Sequence, residues 1–554
     1  MIASTSFAQE TKDQYSYDKR VIQNGRTLFN QLCTSCHNFT QRGIGPDLSG
    51  ATEEFSSVWL AKFIRNPTEI IDSGDEKAAK MFAEYKTYMP SHLSLSDHEI
   101  MALLSYINTY KRKKEETTAY GTPVNNPVPA KIAKGGLTLK LQLLAIAPPS
   151  AEKIPLARIN QTVILKSKKE RVFIQDLRGV LYEIRKNKLI EVMHIGKLKP
   201  SFIHAPGLAS GFGSFAFHPD FMQNGLLYTT HTEKANTLPA DYTYSDSIKT
   251  ALQWVVTEWK IKNSSSIEFS ATSRELLRVD MPSPMHGVQQ LTFNPLARSG
   301  SPDYGLLYIG IGDGGSAENG YSYLCNSNLH IWGTILRIDP EGRNSKNKKF
   351  GIPSINPFVN DHNTSSLGEV FAYGFRNPNR ICWSPDGKML ISDIGLNNIE
   401  ELNIGIAGGN YGWPAREGTF LLNYKGKMDK VYPLPQKDSN YIYPVLQYDH
   451  DEGNAFSGGF VYTGSIPLLK NKYIFGDIVR GRVFYTESDR IRLGSQSQIK
   501  EFDLQFEGIA SDFKTMVANG KADMRFGVGP NHTLYIFTKT DGKIWEVTGC
   551  EPGL

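Results

Sequence analysis

The chain has 554 residues, of which 40% are hydrophobic and 21% are charged. At about 100–200 residues per domain, this length excludes a single ordinary domain, and the composition excludes a disordered chain. A net charge of +5 on 61 basic and 56 acidic residues, without a long basic run, argues against a nucleic-acid partner. No apolar run approaches the roughly 18 residues of a membrane-spanning helix, and five cysteines are too few for a disulfide scaffold.

The first residues, MIASTSFA, contain the small residues that precede the cleavage site of a secretory signal. The basic and apolar parts of such a signal are missing, and a short disordered start is the alternative. We expect residues 1–17 to be a truncated signal remnant or a disordered start. The protein is then expected to be periplasmic or secreted.

Cys33 and Cys36 form a C-x-x-C pair that His37 follows at once. At this spacing two thiols can bond the vinyl groups of one haem while the imidazole reaches the iron. A redox dithiol or a chance pattern is the alternative. The motif predicts one covalently bound haem c with His37 as an iron ligand.

The surroundings of this motif have a helical pattern. Residues 17–32 carry apolar positions at helical spacing, and a second helix around Trp59 and Phe63 is expected to end near Asn66, before a proline. A closing helix opens at Ser96 with a glutamate three residues on, which is the signature of a capping box.

Residues 18–112 together resemble a small class I cytochrome c domain. The resemblance implies a distal methionine as the second iron ligand, and Met89, in a Met-Pro loop before the closing helix, is the best candidate. Met81 and His92 are weaker rivals. A haem with an open coordination position, acting as a sensor, is the alternative.

Residues 113–136 have the charges, prolines and glycines of a linker. Residues 137–549 contain short β-rich runs between glycine, proline, asparagine and aspartate turns. The runs recur about every 65–80 residues with further strands between them, which favours a ring of six four-stranded blades.

Six motifs occur in a fixed order within this second region. They are FAFHPDF (215–221), GIGDGG (310–315), GTILRIDP (333–340), YGFRNP (373–378), GGNYGWP (408–414) and SGGFVY (457–462). The series resembles the soluble quinoprotein glucose and aldose sugar dehydrogenases and their sorbosone dehydrogenase relatives. This resemblance implies a six-bladed propeller that holds pyrroloquinoline quinone (PQQ) at one mouth of its central channel.

Oxidation of a sugar hydroxyl requires a base for the proton and an acceptor for the hydride. By the resemblance, His286 is the catalytic base and Asp313 orients it. Arg376 and Asn377 match the pair beside the quinone carbonyls, where an arginine stabilises developing charge. The alternatives are an ordinary loop histidine and a hydrogen-bonded turn.

Further cations are expected to pair with the three carboxylates of PQQ. The candidates by position are Arg480, Arg482, Lys521 and Arg525. The chain departs from the glucose enzymes at several positions. Their lysine falls on Val479, their paired arginines are absent around Ala522 and Met524, and their glutamine falls on Ala209. These departures leave the substrate and the grip on the cofactor open.

The loop of residues 395–398 matches the family's calcium loop. Gly395 offers a carbonyl, and Glu400 and Glu401 offer the carboxylates that a hard cation prefers. A polar hairpin with solvent-facing acids is the alternative. Cys325, Cys382 and Cys550 permit one disulfide at most.

The sequence therefore predicts a multidomain chain, a small all-α cytochrome c domain followed by an all-β six-bladed propeller. We expect PQQ-dependent oxidation of an aldose or related sugar to its lactone, with haem c as the first electron acceptor and a cytochrome or oxidase downstream. One alternative is a non-catalytic propeller that binds carbohydrate or protein. Another is an enzyme acting on a non-sugar alcohol or aldehyde.

Overall fold

The computed structural model describes residues 15–34, 36–39, 45–85, 88–112, 120–167, 169–206, 209–245, 247–266, 268–361 and 363–553. The chain divides into two compact units, Met1–Glu116 and Thr117–Leu554. Most of the predicted signal remnant lies outside the described residues. No helix within the described ranges is long and apolar enough to cross a membrane.

The first unit is helical in its described part. Its helices are α1 (Lys19–Leu32), α2 (Ala51–Glu54), α3 (Ser57–Arg65), α4 (Pro67–Asp72), α5 (Glu76–Tyr85) and α6 (Asp97–Ile107). Helix α1 packs closely on α6, because Gly25 lies against the backbone of Ala102, where a Cβ would come within 1.9 Å of the carbonyl oxygen. The predicted capping box is confirmed: Ser96 Oγ accepts from the Glu99 N–H, and Glu99 Oε2 accepts from the Ser96 N–H.

The second unit consists mainly of strands, beginning with β1 (Ala133–Ile146). Blades one to three are β2 (Ile159–Leu165), β3 (Arg171–Asp176), β4 (Val180–Arg185) and β5 (Lys188–His194); β6 (Phe212–Phe217), β7 (Leu226–Lys234), β8 (Leu252–Ile261) and β9 (Ala271–Met281); β10 (Val288–Phe293), β11 (Leu307–Ile311), β12 (Thr334–Ile338) and β13 (Val370–Tyr373).

The fourth blade contains β14 (Pro378–Trp383), β15 (Met389–Asp393), β16 (Ile399–Ile404) and a later strand, β20 (Leu446–Asp449). A small sheet stands between them in the chain, with strands β17 (Arg416–Glu417), β18 (Phe420–Leu422) and β19 (Val431–Tyr432). The remaining strands are β21 (Phe456–Val461), β22 (Lys472–Asp477), β23 (Val483–Glu487), β24 (Lys500–Phe506), β25 (Ile509–Ala510), β26 (Met524–Val528), β27 (Leu534–Thr538) and β28 (Lys543–Pro552). Short helices α7 (Ile195–Leu198), α8 (Phe221–Asn224) and α9 (Phe513–Val517) lie in the connections.

Strand β1 completes the last blade. It pairs antiparallel with β28 and parallel with β24, so the start and the end of this unit meet in one sheet. Leu141 lies opposite Val547 in this register, and both side chains belong to the core shared by blades five and six. The N-terminal strand therefore closes the ring.

The six inner strands, β2, β6, β10, β14, β21 and β26, pack against one another in a ring that returns from β26 to β2. Thr162 joins this last contact, because its Oγ1 donates to the Val528 carbonyl and accepts from the Val528 N–H. Ser214 Oγ bonds both Gln161, the third residue of β2, and the N–H of Leu291, the fourth residue of β10. Because neighbouring inner strands are level in this way, all six begin at the same end of the channel, which we call the upper mouth. The predicted six-bladed propeller is confirmed.

The ends of the propeller differ from those predicted at 137 and 549. Strand β1 begins at Ala133, and β28 ends at Pro552. Part of the predicted linker also bonds this unit, since the Val124 N–H donates to the Val431 carbonyl and the Val128 N–H to Asp449. These contacts with the small sheet and β20 could not be predicted from the sequence, because a backbone N–H donor does not require a particular pattern of side chains.

Removal of the capping hydroxyl should loosen α6. We expect Ser96→Ala to cost about 1 kcal/mol of helix stability, because the Glu99 N–H loses its acceptor. Hydrogen exchange of α6 amides in the full chain should then accelerate about fivefold. The exposed Ser94→Ala serves as the control and should leave exchange unchanged. Equal exchange in both variants would contradict the role of the cap.

Candidate active site

The upper mouth collects one residue from the start of each blade. The residues immediately before the inner strands are Arg158, Gly211, Gly287, Asn377, Ala455 and Asp523. Because neighbouring strands within a blade are antiparallel, the loops after the second strands also end at this mouth. The predicted catalytic residues His286, Asp313 and Arg376 all lie in these two kinds of loop.

His286 and Asp313 form a hydrogen-bonded pair at the start of blade three. The distance from His286 Nδ1 to Asp313 Oδ1 is 2.8 Å, and Asp313 is fully buried. Asp313 also accepts from the Gly315 N–H at 2.8 Å and from Trp413 Nε1 at 3.0 Å. Burial alone would raise the pKa of Asp313, but the hydrogen bond and charge of His286 lower it below its ordinary value. An ionised Asp313 holds the proton on Nδ1 and leaves the His286 Nε2 lone pair available to a substrate.

Tight packing of glycines sets the position of His286, whose own backbone is left-handed (φ 48°). A Cβ on Gly287 would lie 1.8 Å from Trp254 Nε1, and one on Gly312 would lie 2.3 Å from the His286 carbonyl oxygen. That carbonyl accepts from the Gly314 N–H at 3.2 Å. The two loops that carry the base and its carboxylate are therefore held backbone to backbone.

Arg376 lies buried beside this pair. Its carbonyl accepts from the Asp313 N–H at 2.8 Å, its Nη1 donates to the Gly395 carbonyl, and its Nη2 lies 2.5 Å from Glu318 Oε1. Its guanidinium also stands 5.6 Å from the ring centroid of Trp413. Burial alone would lower the pKa of Arg376, but the carboxylates of Glu318 and Asp313 raise it, so the side chain stays charged. The buried Nε has no hydrogen-bond partner within the described ranges.

The backbone around Arg376 and Asn377 is anchored by a carboxylate. Asp393 accepts from the Arg376 N–H at 3.0 Å and from the Asn377 N–H at 2.6 Å. Asp393 lies directly opposite Glu401 on the next strand. Burial and the charges of neighbouring carboxylates raise the pKa values of both, so we infer that the pair retains a proton near neutral pH.

Glu318 and Trp413 were missed as site residues by the sequence analysis. Trp413 stands inside the GGNYGWP motif, whose order indicated only the family resemblance. Glu318 stands five residues after Asp313 without any spacing that signals an ion pair. Its partner Arg376 is 58 residues away in the chain, so only the fold brings the two together.

Two of the four predicted cofactor cations are occupied by groups of the protein. Arg480 donates to Asn454 Oδ1 and to two backbone carbonyls. Arg482 forms ion pairs with Glu452 at 2.8 Å and with Glu501 at 2.7 Å. The assignment of these two arginines to the cofactor stays a prediction, and their contacts give them a structural role in the loop after β22.

The other two predicted cations flank a buried carboxylate. Arg525 Nη1 lies 3.1 Å from Asp523 Oδ1, and the positive charge of Lys521 also lowers the pKa of Asp523, which burial alone would raise. Three further cations that the sequence analysis did not predict, Arg158, Arg380 and Lys539, lie in this part of the mouth.

The residues present fit an anionic quinone. Arg376 offers an unused Nε donor, Asn377 lies next to it, and the opposite side of the mouth carries Lys521, Arg525 and Lys539. Such a distribution suits a planar ligand with carbonyl oxygens at one edge and carboxylates at the other. These residues would hold PQQ.

The predicted calcium loop folds around a carboxylate of the protein. Glu417 Oε1 accepts from four consecutive backbone N–H groups, those of residues 396–399, at 2.8–3.1 Å. Glu400 pairs with His450 at 3.1 Å, whereas Glu401 faces Asp393. Neighbouring residues of a strand point to opposite faces, so Glu400 and Glu401 do not face one common ion. No group of three His, Cys, Asp or Glu side chains in the described structure could hold a metal, and calcium near Gly395 stays a prediction.

The C-x-x-C-H segment follows α1 directly. Burial, and then the neighbouring Cys36, raises the pKa of Cys33 to about 12, which does not suit a redox dithiol that reacts as a thiolate. His37 Nδ1 donates to the Pro46 carbonyl at 3.0 Å, so Nε2 is left for a metal. Gly45 lies against this imidazole, where a Cβ would come within 2.3 Å of the ring. These residues fit a haem bonded to both thiols and ligated by His37.

Met89 packs against the apolar core of the first unit, which includes Phe29, Cys33 and Leu104. The rival Met81 lies in α5. Burial, and then the nearby charge of His37, lowers the pKa of His92, so His92 also stands on the His37 side of the unit. Met89 therefore stays the predicted distal ligand, with His92 close enough to remain a rival.

The three cysteines of the second unit form no disulfide with one another. Cys325 is buried and lies 2.9 Å from Ser316 Oγ. Burial raises the pKa of Cys382 to about 12. These thiols therefore contribute to packing.

An added methyl group at Gly287 should displace His286 or Trp254. We expect Gly287→Ala to lower the free energy of unfolding of the propeller by about 1–3 kcal/mol, because the new Cβ overlaps the indole. Chemical denaturation followed by tryptophan fluorescence measures this. Gly549→Ala is the control, since a Cβ there would meet Lys140 at an ordinary 3.5 Å. Equal stability of the two variants would refute the packing constraint.

The carboxyl pair should make stability depend on pH. Because the pKa values of Asp393 and Glu401 are raised in the folded state, the folded state binds more protons than the unfolded state above about pH 4. The contribution of this pair to the free energy of unfolding therefore falls as pH rises toward the folded-state pKa values. Each pKa unit corresponds to about 1.4 kcal/mol. We expect Glu401→Gln to remove at least that much of the decline in unfolding free energy between pH 5 and pH 8. The exposed Glu152→Gln should retain the full wild-type decline, and identical curves for both variants would contradict proton sharing.

Two family models match parts of this sequence. Residues 164–506 match the family described as Glucose / Sorbosone dehydrogenase, and residues 22–111 match Cytochrome c, which implies haem c. The HIPL1 protein of Arabidopsis thaliana is 26% identical over 308 residues, which are 48% of this chain and 42% of that protein. Quinoprotein glucose dehydrogenase B of Acinetobacter calcoaceticus is 27% identical over 239 residues, 39% of this chain and 42% of that protein.

The chain thus spans less than half the length of these curated relatives. The crystal structure of the soluble aldose sugar dehydrogenase of Escherichia coli in its apo form covers 75% of this chain and 100% of its own, with a TM-score of 0.51 and 18% identity. This likeness concerns the fold alone. Because the first family match covers more than half of the sequence, the chain belongs to the glucose/sorbosone dehydrogenase family and carries a cytochrome c domain ahead of its propeller.

Proposed function

We propose that the propeller oxidises an aldose or related sugar to its lactone with PQQ, and that haem c on the first unit accepts the electrons. The observation that carries this proposal is the pair of hydrogen bonds from His286 and Trp413 to the Asp313 carboxylate, next to the charged Arg376 at the upper mouth. The family match supports an oxidoreductase, and the names of two relatives, a quinoprotein glucose dehydrogenase and an aldose sugar dehydrogenase, point to a quinone cofactor and to sugars.

The base of the proposed reaction is His286. Its Nε2 takes the proton of the sugar hydroxyl, while the hydride on the same carbon leaves for the acceptor. PQQ, when bound at this mouth, would supply the quinone that serves as the two-electron acceptor for this hydride. Asp313 is a positioning residue: it holds the Nδ1 proton and stabilises the imidazolium that forms.

Arg376 provides the positive charge of the site. Its burial, and its contacts with the Gly395 carbonyl and Glu318, hold the guanidinium in one place. A fixed cation stabilises negative charge that develops on an adjacent oxygen, and it needs no reorganisation during the reaction.

The first unit would serve as the electron acceptor. A haem ligated by His37 and Met89 has a raised potential, which suits the acceptance of single electrons. A haem and a quinone on one chain react at an effective concentration that depends on the connecting segment and not on the concentration of the protein in solution. A soluble cytochrome or an oxidase would take the electrons onward, and covalent haem attachment agrees with a periplasmic or secreted protein.

Reduction of the haem by sugar tests the proposal. The oxidised protein, loaded with PQQ in the presence of calcium, should show the haem α-band on addition of aldoses. His286→Asn should lower kcat about 10²–10⁴-fold without change in PQQ binding, because only the base is lost. The half-buried loop histidine variant His330→Asn should keep wild-type rates.

Chelation of calcium before loading tests whether the ion is required.

If PQQ binds and no aldose, polyol or other alcohol reduces the haem, dehydrogenase activity is refuted. If PQQ does not bind at all, the chain is better described as a non-catalytic propeller. The occupied donors of Arg480 and Arg482 favour that second candidate.

A further inference from the structure

Besides Lys521, the upper mouth contains four cations on the side opposite Glu318. Arg158 precedes β2, Arg380 lies in β14, Arg525 lies in β26, and Lys539 follows β27. Arg158 and Lys539 are each only 4% exposed. The four side chains come from blades one, four and six, so they meet only in the closed ring.

Arg380 reaches across the channel. Its Nη2 donates to the Asn160 carbonyl in β2 at 2.7 Å, and its Nη1 approaches the Gln289 carbonyl in β10 at 3.4 Å. A guanidinium that starts in blade four therefore lies against blades one and three. Arg380 brings its charge to the channel axis, next to Arg525.

The cations outnumber the carboxylates that pair with them. Asp523 lies 3.1 Å from Arg525. Asp477 accepts from the backbone N–H groups of residues 454, 455 and 480, so its carboxylate is engaged elsewhere. Asp176 accepts from Ser150 and from the backbone N–H groups of residues 158 and 178.

Lys539 is the least compensated member of the group. No hydrogen bond or ion pair reaches its Nζ in the part of the chain that the structure describes. Burial, and then the charges of Arg525, Arg158 and Arg380, lowers its pKa well below the ordinary value despite Asp523. Burial and Arg525 lower the pKa of Arg380 to about 9.

Buried like charges destabilise a folded protein unless a counter-ion neutralises them. We propose that Arg380, Arg525 and Lys539 form one site for a planar aromatic polycarboxylate, and that this site holds the carboxylates of the quinone. Arg158, whose guanidinium donates to the His204 and Ser210 carbonyls, adds its charge to this site. The identity of the ligand as PQQ rests on the proposed function. The glucose enzymes have paired arginines where this chain has Ala522 and Met524. Arg380 and Lys539 would then supply the positive charge that those arginines supply in the glucose enzymes.

The proposal predicts opposite effects of one substitution on stability and binding. Lys539→Met removes an uncompensated buried charge, so the PQQ-free protein should unfold at a higher temperature. The same variant should bind PQQ at least about tenfold more weakly, because a charge-assisted contact is lost. Thermal unfolding is followed by tryptophan fluorescence, since six of the seven tryptophans lie in the propeller, and PQQ affinity is measured by equilibrium dialysis.

Lys543→Met is the matched control. Lys543 lies in the same blade, but it is partly exposed and pairs with Asp541 at 3.2 Å, so neither quantity should change by a comparable amount. Arg380→Gln should likewise weaken PQQ binding, while Arg380→Lys should restore part of it. A Lys539→Met protein that binds PQQ as well as wild type, or that is less stable without ligand, overturns the proposal.

A second probe separates this inference from the proposed function. Benzene-1,3,5-tricarboxylate carries the charges without a quinone, and at millimolar concentration it should raise the unfolding temperature of wild type more than that of Lys539→Met. If PQQ does not bind but the tricarboxylate has this effect, the polycarboxylate site stands and the PQQ assignment fails. If neither compound stabilises wild type more than Lys539→Met, the site is refuted.

Discussion

The buried carboxylate of Asp313 joins the segments from which the upper mouth is built. Its two oxygens accept from His286, Gly315 and Trp413, and its backbone N–H donates to the Arg376 carbonyl. One ionised group thus fixes the histidine tautomer, the glycine turn after β11 and the tryptophan that stacks on the arginine. In a buried setting a carboxylate is tolerated only when its acceptors are filled in this way.

Charge is unevenly distributed around this centre. One side of the mouth carries Asp313, Glu318, Asp393, Glu401 and Glu417 about Arg376, and several of these acids have perturbed pKa values. The other side carries Arg158, Arg380, Arg525 and Lys539. Clustered groups with shifted pKa values are typical of functional sites, because such an arrangement stabilises a bound molecule at the expense of the unliganded fold. The two sides together match a ligand that is polarised along its length.

Much of the fold and of the haem site could be predicted from local sequence. The capping box of α6 and the C-x-x-C-H motif act over three to five residues, so their physics is contained in the segment itself. The β-rich character of the propeller was predicted because its short strands lie as local runs between turn residues. The propeller was predicted to start at residue 137, whereas β1 begins at Ala133; its partners β24 and β28 lie more than 360 residues away and leave no local pattern in the sequence.

The sequence by itself determined the chemistry that is available: two thiols and an imidazole in one turn, a histidine and an aspartate in glycine-rich loops, and an Arg-Asn-Pro turn. Only the tertiary structure decided which charges meet. Glu318 reaches Arg376, Arg380 crosses to β2, and Arg482 is neutralised by Glu452 and Glu501, although each of these pairs is separated by 19–220 residues. The physical reason is that a Coulomb interaction depends on distance in space and on burial, and the closed ring of six blades sets both.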